Sequence, residues 1–140
     1  MERREFLGTL TGPVLAACAV CMAACSKSGS SGGGVTPASN VNFTIDLASN
    51  LPTVGSSLIS NGVIIVRLAA ANTPSSFTAV QVNCTHEGTA INYIPSSNDF
   101  VCPAHGSTFT TNGMVTLGPA TSSLKQYNVN INGTTMTITG

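Results

Sequence analysis

Tryptophan is missing from these 140 residues, and charge is scarce: five Lys or Arg stand against five Asp or Glu, with two His. Beyond Ser26 only Lys27, Arg67 and Lys125 oppose Asp46, Glu87 and Asp99, so that part of the chain balances at zero. With no basic patch there is little electrostatic attraction to nucleic acid, which is excluded as a partner class. The strand-rich body offers no spare histidine and no carboxylate pair, so acid–base chemistry on a substrate has no residues to carry it. Cysteine is also thin where folding matters. Cys18, Cys21 and Cys25 lie in an apolar N-terminal run, and only Cys84 and Cys102 remain for the body. One disulfide is the most that two thiols can form, so a disulfide framework is not the organising principle.

What is present points to strands. The body is rich in Thr, Ser, Asn, Val, Ile and Gly, a composition suited to short strands and turns, and no stretch past residue 40 has helical periodicity. An all-β domain follows. Val41–Leu47 and Phe77–Val82 alternate apolar and polar residues, the period of a half-buried strand. Val63–Leu68 is a β-branched run. Ile91–Ile94 and Phe100–Val101 are shorter candidates, and Tyr127–Ile138 reads as a hairpin turning at Asn132-Gly133, where positive φ is tolerated.

The N-terminal segment has a different logic. Arg3-Arg4 followed by an apolar run resembles a twin-arginine export signal, with an ordinary secretory signal as the alternative. Met22-Ala23-Ala24-Cys25, followed by a Ser/Gly tract, resembles a bacterial lipoprotein cleavage site, in which Cys25 would carry the lipid. Cys18 offers an equally good local match, and an uncleaved apolar anchor is a further alternative, since a span needs roughly 20 residues. The expected organisation is therefore an export signal over 1–25, a flexible tether over 26–40 and a folded domain over 41–140, held at a membrane outside the cytoplasm.

Chemistry concentrates in two stretches, Cys84-Thr85-His86-Glu87-Gly88 and Cys102-Pro103-Ala104-His105-Gly106-Ser107. Past the N-terminal segment these hold every Cys and every His. Each follows a strand candidate, so each is expected on a loop at a sheet end, and two such loops side by side would clasp a metal centre. A mixed Cys/His set allows structural zinc or an iron–sulfur cluster. Paired zinc ligands usually have about two to four residues between them. Cys84 and His86 have one.

The pattern Cys84-x-His86-x15-Cys102-x2-His105, with Gly88, Pro103, Gly106 and Ser107 in place, resembles the Rieske [2Fe-2S] family. The resemblance implies a Rieske-type fold of small antiparallel sheets with a [2Fe-2S] cluster held by two loops at one end. It implies that Cys84 and Cys102 bind the inner iron and His86 and His105 the outer, more exposed one. Gly118-Pro119-Ala120 resembles the proline-containing loop that covers the cluster in the cytochrome bc group. Ser107 matches the position whose hydroxyl donates to a cluster sulfur in high-potential members. Phe109 stands where those members carry Tyr. Glu87 adds an anion beside the histidines and should disfavour the reduced state, so an intermediate potential is expected within a family range of about −150 to +300 mV. Thr89 and Ala104 occupy the places of a loop-tying disulfide, leaving packing and the proline loop to hold the site. Glu87 also replaces an apolar docking residue, and burying a charge there is costly, which weakens quinol-oxidase docking.

The expected function is one-electron transfer through the cluster, with a redox partner meeting the domain near His86 and His105. An iron–sulfur subunit of a quinol-oxidising complex, or of another oxidoreductase, is the alternative within redox biology. A β-rich surface lipoprotein with structural zinc and a binding role is the alternative of another class.

Overall fold

The computed structural model describes residues 35–140, and Arg3, Arg4, Cys18, Cys25 and the Ser/Gly tract fall outside them. Ten strands follow in order: β1 (Asn42–Asp46), β2 (Ser57–Ser60), β3 (Val63–Arg67), β4 (Phe77–Gln81), β5 (Asn92–Ile94), β6 (Asp99–Val101), β7 (Thr108–Thr110), β8 (Val115–Leu117), β9 (Asn128–Asn132) and β10 (Thr135–Thr139). A single 3₁₀ turn, Pro74–Ser76, leads into β4. Among the described residues no helix is long and apolar enough to cross a membrane. Every strand pair is antiparallel, in sheets ordered β1-β10-β9, β2-β3-β4 and β5-β6-β7-β8. The all-β expectation holds.

The β2-β3-β4 sheet lies in the middle. All five residues of β3 and all five of β4 are buried, because this sheet is covered on both faces. Successive side chains of a strand point to opposite faces, and the two cores divide accordingly. Val63, Ile65, Phe77 and Ala79 pack with Met136, Ile138 and Tyr127 of the β1-β10-β9 side. Ile64, Val66, Val80 and Val82 pack with Ile91, Phe100 and Phe109 of the β5–β8 side, and that second core includes Cys84 and Cys102. An unbroken β-branched run in β3 is the sequence signature of such double burial.

Arg67 ends β3 inside the protein. Its guanidinium donates to the carbonyls of Leu51 at 2.7 Å and Ala70 at 2.8 Å and to Asn72 Oδ1 at 2.8 Å, and it lies 4.7 Å over the Phe77 ring. A buried charge is tolerated where its donors are satisfied, and here they knit two long loops to the end of the central strand.

Two local expectations shift. The hairpin turn is Gly133-Thr134, because Asn132 pairs with Thr135 inside the ladder. Gly133 has φ 62° as the first turn residue, a II′-like pattern that needs one positive φ where Asn-Gly was expected to supply two. Residues 35–40, assigned from sequence to the tether, lie against the domain: the Ala38 carbonyl accepts from Tyr127 OH at 2.8 Å and from Lys125 Nζ at 3.1 Å. That strap leads into Val41, which exchanges backbone hydrogen bonds with Gly140 at 2.7 and 3.0 Å.

Candidate metal centre

Two hairpin loops of the β5–β8 side are built alike. In the first, the Cys84 N–H donates to the Thr89 carbonyl at 2.8 Å and the Gly88 N–H returns to the Cys84 carbonyl at 2.8 Å. In the second, the Cys102 N–H donates to the Ser107 carbonyl at 2.8 Å and the Gly106 N–H to the Cys102 carbonyl at 2.9 Å. Each loop thus opens on a cysteine and closes through a glycine four positions later, at φ 81° and 78°, a backbone region where a side chain would be strained. The histidine sits two positions after the cysteine in one loop and three after it in the other.

This arrangement separates the donors by depth. Cys84 and Cys102 are 0% and 2% exposed and belong to the apolar core. His86 and His105 are exposed, their ring centroids 4.9 Å apart in an edge-to-face arrangement. All four predicted donors are therefore brought to one end of the domain, thiols inward and imidazoles outward. Burial pushes the Cys84 thiol above its ordinary range, and the Cys102 thiol adds to this. Hydrogen bonds from the His86 backbone and the Ser107 hydroxyl oppose the shift. Such a thiol keeps its proton until a cation replaces it. Two dry, adjacent thiols with two outward imidazoles fit a two-ended centre that prefers thiolate on one side and neutral nitrogen on the other.

A third loop, between β8 and β9, joins both. Ala120 packs in the same core as the two cysteines, and its N–H donates to the fully buried Ser107 Oγ at 2.9 Å. Thr85 Oγ1 donates to the Ser122 carbonyl at 2.6 Å. Gly118 and Pro119 precede this contact and are exposed. Thr85 is the residue whose role the sequence pattern does not reveal, since nothing local marks a partner 37 positions away. Cys84 and Cys102 are free thiols. Phe109 is wholly buried in the core, in keeping with a packing role. Glu87 is exposed, its Oε2 3.8 Å from His105 Nδ1.

Comparison with known proteins places this geometry. The iron–sulfur subunit of the cytochrome b6-f complex of Chlorobaculum thiosulfatiphilum is 32% identical over 99 residues, covering 69% of this chain and 52% of that one. The cytochrome b6-f complex iron–sulfur subunit 2 of Synechocystis is 33% identical over 139 residues, covering 89% of this chain and 76% of its own length. The chain thus spans about half the length of the first relative and three quarters of the second. Among solved structures, the plasma membrane Rieske protein of Synechocystis superposes with a TM-score of 0.50 at 31% identity, over 56% of this chain and 76% of that one. A hyperthermophilic respiratory complex III chain gives 0.54 at 22% identity, over 66% and 71%, a likeness of fold. The family model described as the Rieske [2Fe-2S] domain matches residues 43–128, from β1 through all three loops to the start of β9, and the chain accordingly belongs to the Rieske [2Fe-2S] domain family.

Proposed function

We propose that this chain is a one-electron carrier, with Cys84 and Cys102 as ligands of the inner iron of a [2Fe-2S] cluster and His86 and His105 as ligands of the outer iron. The observation that carries it is the split in exposure, with both thiols sealed in the core and both imidazoles at the surface. The cluster, when bound, supplies a site that accepts and returns a single electron. The protein does the rest. The core around Cys84 and Cys102 keeps water from the thiolate side, the buried Ser107 favours the charged form of Cys84, and the third loop holds both ligand loops in place. The histidine edge is left open for a redox partner. The N-terminal segment tethers the domain at a membrane outside the cytoplasm, a reading supported by Arg3-Arg4 and by the small residues preceding Cys25.

The test is electron paramagnetic resonance of the dithionite-reduced full chain, with iron and acid-labile sulfide measured on the same sample. A Rieske-type signal with two irons per chain is expected. Zinc without sulfide sinks the reading and favours a structural-zinc lipoprotein.

Membership of a quinol-oxidising complex is a second reading, favoured by relatives that are subunits of such assemblies. Glu87 at the exposed edge weighs against it, since a carboxylate is costly to bury against an apolar membrane subunit. Quinol-driven reduction with a membrane complex, lost in His105→Ala, would establish it.

A further inference from the structure

The electron-carrier reading leaves open what kind of surface meets the histidine edge, and the distribution of charge answers this. Five side chains carry permanent charge among the described residues. Arg67 is buried among carbonyls. Lys125 is held on the Ala38 carbonyl and over the Tyr127 ring at 4.8 Å. Asp46 turns onto its own loop, accepting from the Ala48 N–H at 3.0 Å. Asp99 opens β6 at the end of the β5-β6 hairpin away from both ligand loops. Only Glu87 is at the donor end, with a side chain 62% exposed beside His105. Neither ligand loop contains a Lys or Arg to offset it, and Lys125, the one cation of the third loop, is spent on the Ala38 carbonyl.

One carboxylate therefore sets the sign of the field at the electron-transfer edge. We propose that Glu87 is a partner-recognition residue and that the partner is a redox protein presenting Lys or Arg beside the exposed edge of its own cofactor. This proposal rests on the electron-carrier reading. Charge complementarity of this kind acts on encounter and orientation more than on depth of binding. A single pair suits a carrier that must dock and leave on each cycle. It also opposes an apolar seat, where an unpaired carboxylate would lose its water.

The experiment uses the cluster-loaded full chain in detergent, reduced with dithionite and mixed at low salt with one of two small oxidants. One is the trication tris(phenanthroline)cobalt(III) and the other is the trianion ferricyanide. Each takes one electron from the reduced domain and leaves as cobalt(II) or ferrocyanide. A unit charge facing a trivalent reagent near contact in water changes a rate by on the order of tenfold. Because the two reagents carry opposite charge, the cobalt rate falls and the ferricyanide rate rises, and their ratio is expected to fall about a hundredfold in Glu87→Gln and further in Glu87→Lys. A change in driving force moves both rates the same way and leaves much of that ratio intact. Added salt should slow the cobalt reaction and speed the ferricyanide reaction as screening sets in, and both slopes should shrink in Glu87→Gln, which separates the carboxylate from the cluster's own charge. A cytochrome c with a lysine-ringed haem edge should likewise be reduced several-fold more slowly by Glu87→Lys. An unchanged ratio and parallel salt slopes, in samples that keep the Rieske signal, overturn the docking proposal alone. Absence of that signal from the wild-type chain overturns the electron-carrier reading and this proposal with it.

Discussion

The hydroxyl of Thr85 donates to the carbonyl of Ser122 at 2.6 Å, joining the first ligand loop to the third across 37 positions of sequence. With the Ala120 N–H on Ser107 Oγ, it makes the third loop a bridge between two ligand loops that no disulfide ties. Thr85→Val keeps the shape and removes the donor, at a net cost of about 1 kcal/mol. Local opening of the site should then be populated roughly fivefold more. The measurement is cluster loss in excess chelator, followed by the visible spectrum. Loss at the wild-type rate would show that the bridge does not gate the site.

Ser107 has two jobs, and one substitution removes both with separate readouts. Its Oγ accepts from Ala120, and its hydroxyl favours the charged form of Cys84. Ser107→Ala removes a donor that stabilises negative charge, so the reduction potential should fall. A hydrogen bond to a charged group is worth about 1.5 kcal/mol, and 1.4 kcal/mol corresponds to about 59 mV for one electron. Protein-film voltammetry should therefore read a drop on the order of 60 mV. The Ala120 N–H is also left without an acceptor, lowering the melting temperature by a few degrees.

Glu87 acts on the potential with the opposite sign. Its negative charge disfavours the more negative reduced state, so Glu87→Gln should raise the potential. The side chain is largely solvated, and a unit charge about one side-chain length away in water is worth roughly 0.5 kcal/mol, or about 20 mV. The wild-type midpoint is expected below the top of the family range, about +300 mV. A value at that top, or a fall on substitution, contradicts the electrostatic argument.

The strap over residues 35–40 has its own test. Val35 Cγ2 stands 3.7 Å from where a Cβ would sit on Gly88, so the strap reaches the first ligand loop. Tyr127→Phe deletes one of two donors to Ala38. The expected loss is about 1 kcal/mol of strap docking. Limited proteolysis should cut near Ala38 several-fold faster while the spin signal stays unchanged. Equal cleavage rates would mean that Lys125 alone holds the strap.

Strands with a marked period are legible in the residue pattern: β1, β3, β4, β5, β6 and the β9-β10 hairpin all lie where apolar alternation or β-branched runs put them. β2, β7 and β8 are not. Ser57–Ser60 has two adjacent apolar residues between serines and does not alternate, and Thr108–Thr110 and Val115–Leu117 have three residues each, so their strand character comes from the neighbours they pair with. The turn at Gly133-Thr134 lies one residue beyond the Asn-Gly expectation because register belongs to the whole ladder, in which Met136 and Ile138 must face the core.

The sequence by itself determined the candidate donors, since Cys84, His86, Cys102 and His105 are the only residues of their kinds in the body and their spacing disfavours a simple chelate pair. It also determined the absence of a loop disulfide and the presence of one anion at the tip. Tertiary structure alone decided depth, bracing and field. The doubly covered central sheet draws both cysteines into its core and leaves both histidines outside. The third loop reaches Thr85 and Ser107 from 37 and 13 positions away. Arg67 and Lys125 are tied to carbonyls, so Glu87 is unopposed at the donor end. Burial, long-range hydrogen bonds and the neutralisation of distant charges depend on which segments pack together, and local residue patterns carry no record of that.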